Sequence, residues 1–157
     1  MDFSEAENIQ LTPDIKVNII EYQLGEIDFI DSETGAFTSV IRDTVRLEYL
    51  DDSYVQDGLM YAEFRFKHEN TFSFPIESKI IFLSEENTSQ FQINYRIPAG
   101  DTVNPGLIDT LHVMEGNQIK KVRRSINMAV ELQILEEPKS LEGQLDFSSR
   151  GLYRFEF

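Results

Sequence analysis

The stretch Gly58–Gly100, GLMYAEFRFKHENTFSFPIESKIIFLSEENTSQFQINYRIPAG, decides the fold. In its first part Met60, Ala62, Phe64 and Phe66 alternate with Tyr61, Glu63, Arg65 and Lys67. Successive strand residues point to opposite faces, so this run has one apolar and one charged face. A helix would set its apolar residues three and four apart, and the period here is two. Phe91, Ile93, Tyr95 and Ile97 alternate in the same way with Gln92, Asn94 and Arg96. Between them Ile80-Ile81-Phe82-Leu83 is apolar on both faces and reads as an enclosed strand. A polar turn leads into Phe72-Ser73-Phe74-Pro75, and Ser84-Glu85-Glu86-Asn87-Thr88 reads as a hairpin loop. Pro98 and Gly100 end the unit, because proline cannot donate to a ladder and glycine permits a sharp turn.

Towards the N-terminus, Ile15 to Tyr22 alternates as a strand, Gly25 interrupts it, and Glu26 to Ile30 reads as a second short strand. Asp31 to Gly35 is a turn, and Thr44 to Tyr49 is another alternating strand. Beyond Gly100, Asn104-Pro105-Gly106 is a strong turn signal and Leu107 to Val113 reads as a strand that would also tolerate a helical turn. Ile119 and Val122 are three apart, which fits a short helix over 118–124. Ile126, Met128, Val130, Leu132 and Ile134 mark a clear strand. Leu145 to Phe147 and Tyr153 to Phe157 read as two closing strands around Ser148 to Gly151. About eight to ten short strands at this spacing, with at most one or two short helices, predict an all-β, antiparallel, immunoglobulin-like sandwich. Residues 1–14 read as an acidic arm, and 15–157 as one domain.

The 157 residues are enough for one domain to bury about 70% of its unfolded surface. There is no cysteine, which excludes disulfides, thiolate metal sites and cysteine nucleophiles. Twelve Phe and no Trp predict a Phe-rich core. The formal charge of −14 argues against nucleic acid and against an anionic membrane surface as partners. It favours solubility and docking to a basic partner. The first fourteen residues show neither the basic nor the apolar region of a signal peptide.

Catalytic motifs are absent from the sequence: no HExxH, GxSxG, P-loop or GxGxxG occurs. His68 and His112 are the only histidines, and neither has a nucleophile at motif spacing. Adjacent carboxylates such as Glu85-Glu86 and Glu136-Glu137 read as solvated loop residues. Asp28, Asp31 and Glu33 supply oxygen ligands suited to calcium but fit no EF-hand loop. The expectation is a non-enzymatic protein with no cofactor and no metal.

Lys120, Lys121, Arg123 and Arg124 form the one basic cluster of an acidic chain. They are the candidate binding residues, to be weighed against pairing with the protein's own carboxylates. For a carbohydrate-binding module, the alternative reading, Tyr22, Tyr49, Tyr54, Tyr61 and Tyr95 are the candidate platforms. A third reading comes from Tyr153, Phe155 and the final Phe157, whose spacing is that of the last strand of a small outer-membrane β-barrel.

Residues 62–103, carrying AEFRFKHENTFSFPIESKIIFL and INYRIPAGDTV, resemble the late-embryogenesis-abundant type 2 (WHy) domain. The shared features are an alternating strand ending at an Asn turn, an aromatic-Pro-Ile step, a polar hairpin and a proline turn. Asn70 is followed by Thr71, where that family carries Asn-Pro. The chain as a whole resembles small β-sandwich lipoproteins of the Bacteroidetes envelope, in its acidic arm, Phe- and Asn-rich strands and aromatic last strand. That resemblance implies an accessory protein acting through protein–protein contacts in the periplasm or at the outer membrane. A membrane tether would then be a lipid anchor on a preceding cysteine, which this sequence does not contain; the alternative location is the cytoplasm. Neither resemblance carries catalytic residues.

Overall fold

A computed structural model describes residues 14–157, with the side chain of Tyr49 outside the described set. The eight strands are β1 (Asp14–Gly25), β2 (Val40–Arg46), β3 (Leu59–Asn70), β4 (Ile76–Leu83), β5 (Ser89–Ile97), β6 (Gly106–Glu115), β7 (Asn127–Gln133) and β8 (Gln144–Phe155). Two short helices, α1 (Ser53–Gly58) and α2 (Ile119–Arg123), lie in the connections. The acidic arm read over 1–14 falls outside the described residues, except that Asp14 opens β1.

The strands form two antiparallel sheets, in the orders β1-β8-β3-β6 and β2-β7-β4-β5. The all-β sandwich expected from the alternation is thus what the chain builds. Its connectivity departs from the immunoglobulin order, in which consecutive strands pair within a sheet more often. Here β4–β5 is the only consecutive pair that is hydrogen-bonded among the described residues; every other connection crosses between the sheets. This double Greek key is the jelly roll. Alternation fixes which face a residue occupies and carries no information on which strand lies beside which, so the order could not be read from it.

Three local expectations are corrected. Residues 26–29 form a 3₁₀ turn and not a strand, because the Asp28 carboxylate accepts from the Gly25 amide at 2.8 Å and closes the turn. β2 starts at Val40 and ends at Arg46, earlier than the run 44–49 suggested. The two closing strands are one continuous β8, with Ser149 and Gly151 facing inward where the sequence suggested a break. The hairpin at 84–88 and the helix at 118–124 are present as expected. The outer-membrane barrel reading does not hold. The strands make two separate sheets on a filled interior, and the outward positions of β3 carry Arg65, Lys67 and Glu69 rather than an apolar band.

The interior is aromatic. Phe64 on β3 meets Phe82 on β4 across the sandwich at 4.7 Å between ring centroids, and Phe82 stacks on Phe91 at 4.1 Å. Phe66, Phe147 and Tyr95 continue the row, and Phe29, Phe72 and Phe74 close one end. Each such ring contributes about 1.5–3 kcal/mol by leaving water. At that end, fully buried Asn70 joins two loops. Its Nδ2 donates to the carbonyls of Phe74 (3.1 Å) and Pro98 (2.9 Å), and its Oδ1 accepts from the Phe72 amide (3.0 Å). Asn70→Ala removes a partner from three backbone groups, those of Phe72 and Phe74 buried and that of Pro98 partly so, and a loss of about 3 kcal/mol is expected in urea unfolding. A loss below about 1 kcal/mol would show that the loops hold without it.

His68 is also inward and buried. It stacks on Phe147 at 4.3 Å, its Nε2 lies 2.5 Å from the Tyr95 hydroxyl, and its Nδ1 has no partner. Burial depresses its pKa to about 3. The unfolded chain therefore takes up this proton first, and stability present above about pH 6.5 is lost as pH falls from 6.5 towards 3. The expected loss is about 2 kcal/mol between pH 7.5 and pH 5, before most carboxylates titrate. His68→Phe should flatten that part of a stability–pH curve; an unchanged slope would assign it to other groups.

Candidate functional site

The crossings between sheets sort the loops onto two ends. The connections 26–39, 71–75, 98–105 and 134–143 share one end; 47–58, 84–88 and 116–126 share the other. The basic cluster lies at the second end, on α2. This helix buries Ile119 and Val122 and turns Lys120 and Lys121 outward. The Ser125 hydroxyl donates to the Lys121 carbonyl at 2.8 Å and closes its C-terminus.

The four residues do not act together. Arg123 donates through Nε and Nη2 to the carbonyl of Leu59, at 2.9 and 2.6 Å, and its Nη2 lies 3.5 Å from the Met60 sulfur. It fastens α2 to the start of β3. Lys120, Lys121 and Arg124 are exposed. No described carboxylate lies within 4.0 Å of any of the four, so pairing with the protein's own acids is not their role among the described residues.

Beside this point is a feature that strand alternation did not signal. The ring of Tyr54 on α1 stacks on Phe157 at 4.9 Å and 4°, and both are more than half exposed. Gly58 makes the stack fit: a Cβ there would come within 2.3 Å of the Phe157 ring. Asp52 caps α1, accepting from the amides of Tyr54 and Val55, and so fixes where Tyr54 stands. Of the other candidate tyrosines, Tyr22 and Tyr95 face the interior, and burial pushes both phenols up. Tyr61 is covered by the guanidinium of Arg154, 4.9 Å above its ring.

The acidic turn is occupied with its own backbone. The Asp31 carboxylate accepts from the amides of Glu33 and Thr34, which holds its pKa low. Among the described residues no group of three or more His, Asp or Glu side chains is placed to hold a metal.

Four strands end the two sheets, and they differ in how they are protected. β1 has a bulge between Asn18 and Ile20. β2 is short and carries Arg42, Asp43 and Arg46. β5 has a register shift at its pairing with Phe82 and Leu83, and carries Arg96. β6 runs ten residues against β3 with no register shift, and contains no Pro, Lys or Arg. Its Asp109 is drawn inward over the sheet by Arg65 at 2.8 and 2.7 Å, which lowers the carboxyl's pKa. That leaves Leu107 (66%), Leu111 (53%) and Val113 (41%) exposed along one face. Natural sheets blunt such edges with charges, prolines or bulges, and β6 has none of the last two.

No protein-family model matches the chain, and no curated protein matches it. Solved structures are similar in fold. The VP2 subviral particle protein of infectious bursal disease virus is 10% identical with a TM-score of 0.52, over 92% of this chain and 33% of that one. A candidate secreted protein of Parabacteroides distasonis ATCC 8503 is 11% identical with a TM-score of 0.48, over 73% of this chain and 37% of that one. The chain spans about a third of the length of each. These likenesses concern the sandwich alone. No helix among the described residues is long and apolar enough to cross a membrane.

The division within the basic cluster is measurable. Arg123→Gln should cost about 1–3 kcal/mol by leaving the Leu59 carbonyl short of its charged donors, whereas Lys120→Gln, Lys121→Gln and Arg124→Gln should each stay within about 0.5 kcal/mol. Equal effects at all four positions in chemical denaturation would contradict the assignment.

Proposed function

We propose that this chain is a non-enzymatic binding module that engages a protein partner by strand addition at β6. The observation that carries the reading is the contrast among the four sheet edges: β6 alone is long, in unbroken register and lined by exposed leucine and valine. An extended segment of the partner would take main-chain hydrogen bonds from the free side of β6. Apolar side chains at alternate positions would cover Leu107, Leu111 and Val113. The exposed Tyr54–Phe157 stack and Lys120, Lys121 and Arg124 form a second contact area at the loop end, suited to an acidic surface of the partner.

The envelope is the compartment we propose. What supports it is the resemblance of the sequence to Bacteroidetes envelope lipoproteins. A carbohydrate-binding role has less support, since Tyr54 is the only one of the four described candidate tyrosines more than half exposed. The test is capture of a partner from envelope extract by the full chain and by a Leu107→Lys/Val113→Lys variant. Both substitutions sit on solvent-exposed positions and should leave the melting temperature within a few degrees. Loss of the captured protein in the variant, by tenfold or more, is the expected result. Retention at the wild-type level would remove β6 as the docking edge, and binding to a glycan array would favour the carbohydrate reading instead.

A further inference from the structure

The outer face of the β1-β8-β3-β6 sheet brings together cations that the sequence keeps far apart. Arg65 on β3 and Arg150 on β8 are directly opposite in register. Side chains so placed share a face with Cβ atoms about 5 Å apart, and like charges there are destabilising. Arg65 is held by Asp109, which accepts from its Nε at 2.8 Å and its Nη2 at 2.7 Å. The same carboxylate lies 3.9 Å from Lys67. Arg150 has no described carboxylate within 4.0 Å; its neighbour on the other side is Asn18 of β1. Lys16 stands one row away, opposite Leu152, and has no described carboxylate within 4.0 Å. The acid nearest in sequence, Glu63, accepts from the Tyr61 hydroxyl at 2.5 Å, on the side away from Arg65.

In a chain with 28 acidic and 14 basic residues, a carboxylate beside Arg150 would be the ordinary arrangement. Beside Arg150 is a trough of about 570 Å³ in which Lys16, Arg65 and Arg150 meet Leu111, Leu152 and two carboxylates, Asp109 held by Arg65 and Glu63 held by the Tyr61 hydroxyl. A guanidinium with free donors beside a second one held rigid is the arrangement that grips an oxyanion through paired hydrogen bonds. The leucines offer an apolar surface to whatever carries that group.

We propose that this trough binds an organic oxyanion, with its carboxylate, phosphate or sulfate between Arg65 and Arg150 and its apolar or sugar body over Leu111 and Leu152. The site shares Leu111 with the face that strand addition would cover, but its anion contacts, Arg65 and Arg150, lie on β3 and β8, so a small-molecule titration tests it separately from partner capture.

The test is thermal unfolding of the full chain with phenyl phosphate, phenyl sulfate, glucuronate or inorganic phosphate, each at ionic strength matched with sodium chloride. At least one organic probe should raise the melting temperature saturably, and by more than inorganic phosphate does. The probe that acts identifies the headgroup. Arg150→Gln should abolish the saturable shift while raising the melting temperature of the free protein, since it removes the like-charge pair. Arg150→Lys, which keeps the charge without the fork, should weaken the apparent affinity at least fivefold. A Lys120→Gln/Lys121→Gln/Arg124→Gln variant should respond as the wild type does. No saturable shift with any probe, a shift that persists in Arg150→Gln, or a free Arg150→Gln protein less stable than wild type would each overturn the proposal.

Discussion

The contact on which the sandwich depends is the one between Phe64 and Phe82, where the two sheets meet across the interior. With no tryptophan and no disulfide, separation and alignment of the sheets rest on phenylalanine rings packed at centroid distances of 4.1 to 6.4 Å. Sheets packed face to face stand about 10 Å apart, the thickness that interdigitated aromatic side chains fill. The described polar residues buried in this layer are few: His68, Asn70 and small serines such as Ser78 and Ser149. His68 shares a hydrogen bond with Tyr95, and Asn70 spends both its amide hydrogens and one bond to its Oδ1 on loop backbone. Because the inward positions are committed to packing, any recognition has to use the outer faces, the edges and the loop ends.

Much of the architecture was legible in the sequence because alternation is a direct consequence of strand geometry. Met60 to Lys67, Phe91 to Ile97 and Ile126 to Ile134 all lie in or at the ends of strands, with the expected residues inside except Met60, which the register shift between Leu59 and Tyr61 leaves exposed. Reading failed where a residue type conflicts with its position. Ser149 and Gly151 face inward in β8, Gly151 under the ring of Tyr153 two residues on in the same strand, and so mimic a loop. Ile27 and Phe29 are spaced like a strand, yet Asp28 closes the chain into a turn, leaving Ile27 exposed and Phe29 buried.

The candidate site was legible in part, for a related reason. Ile119 and Val122 announced the helix that carries the basic cluster, since their spacing is local. The distinct role of Arg123 depends on the carbonyl of Leu59, a residue that only the tertiary fold brings near. The pairing of Arg65 with Arg150, and the contrast between β6 and the other edges, are properties of strand order and register. A jelly roll assembles its sheets from strands distant in sequence, so its surfaces are composites that no single stretch displays.

The pairing of β1 with β8 bears on how the domain would respond to load. The two strands are antiparallel, and Asp14 lies opposite Arg154, so both leave the sheet at the same end. Tension applied there would fall on one ladder rung at a time, starting with the Asp14–Arg154 ion pair, rather than shearing all the rungs together. The bulge at Ile19 would be met within the first rungs. Mechanically the sandwich is a zipper with its slider at the chain ends. It would open from β1 at low force while the Phe64–Phe82 contact, two strands inward, stayed closed.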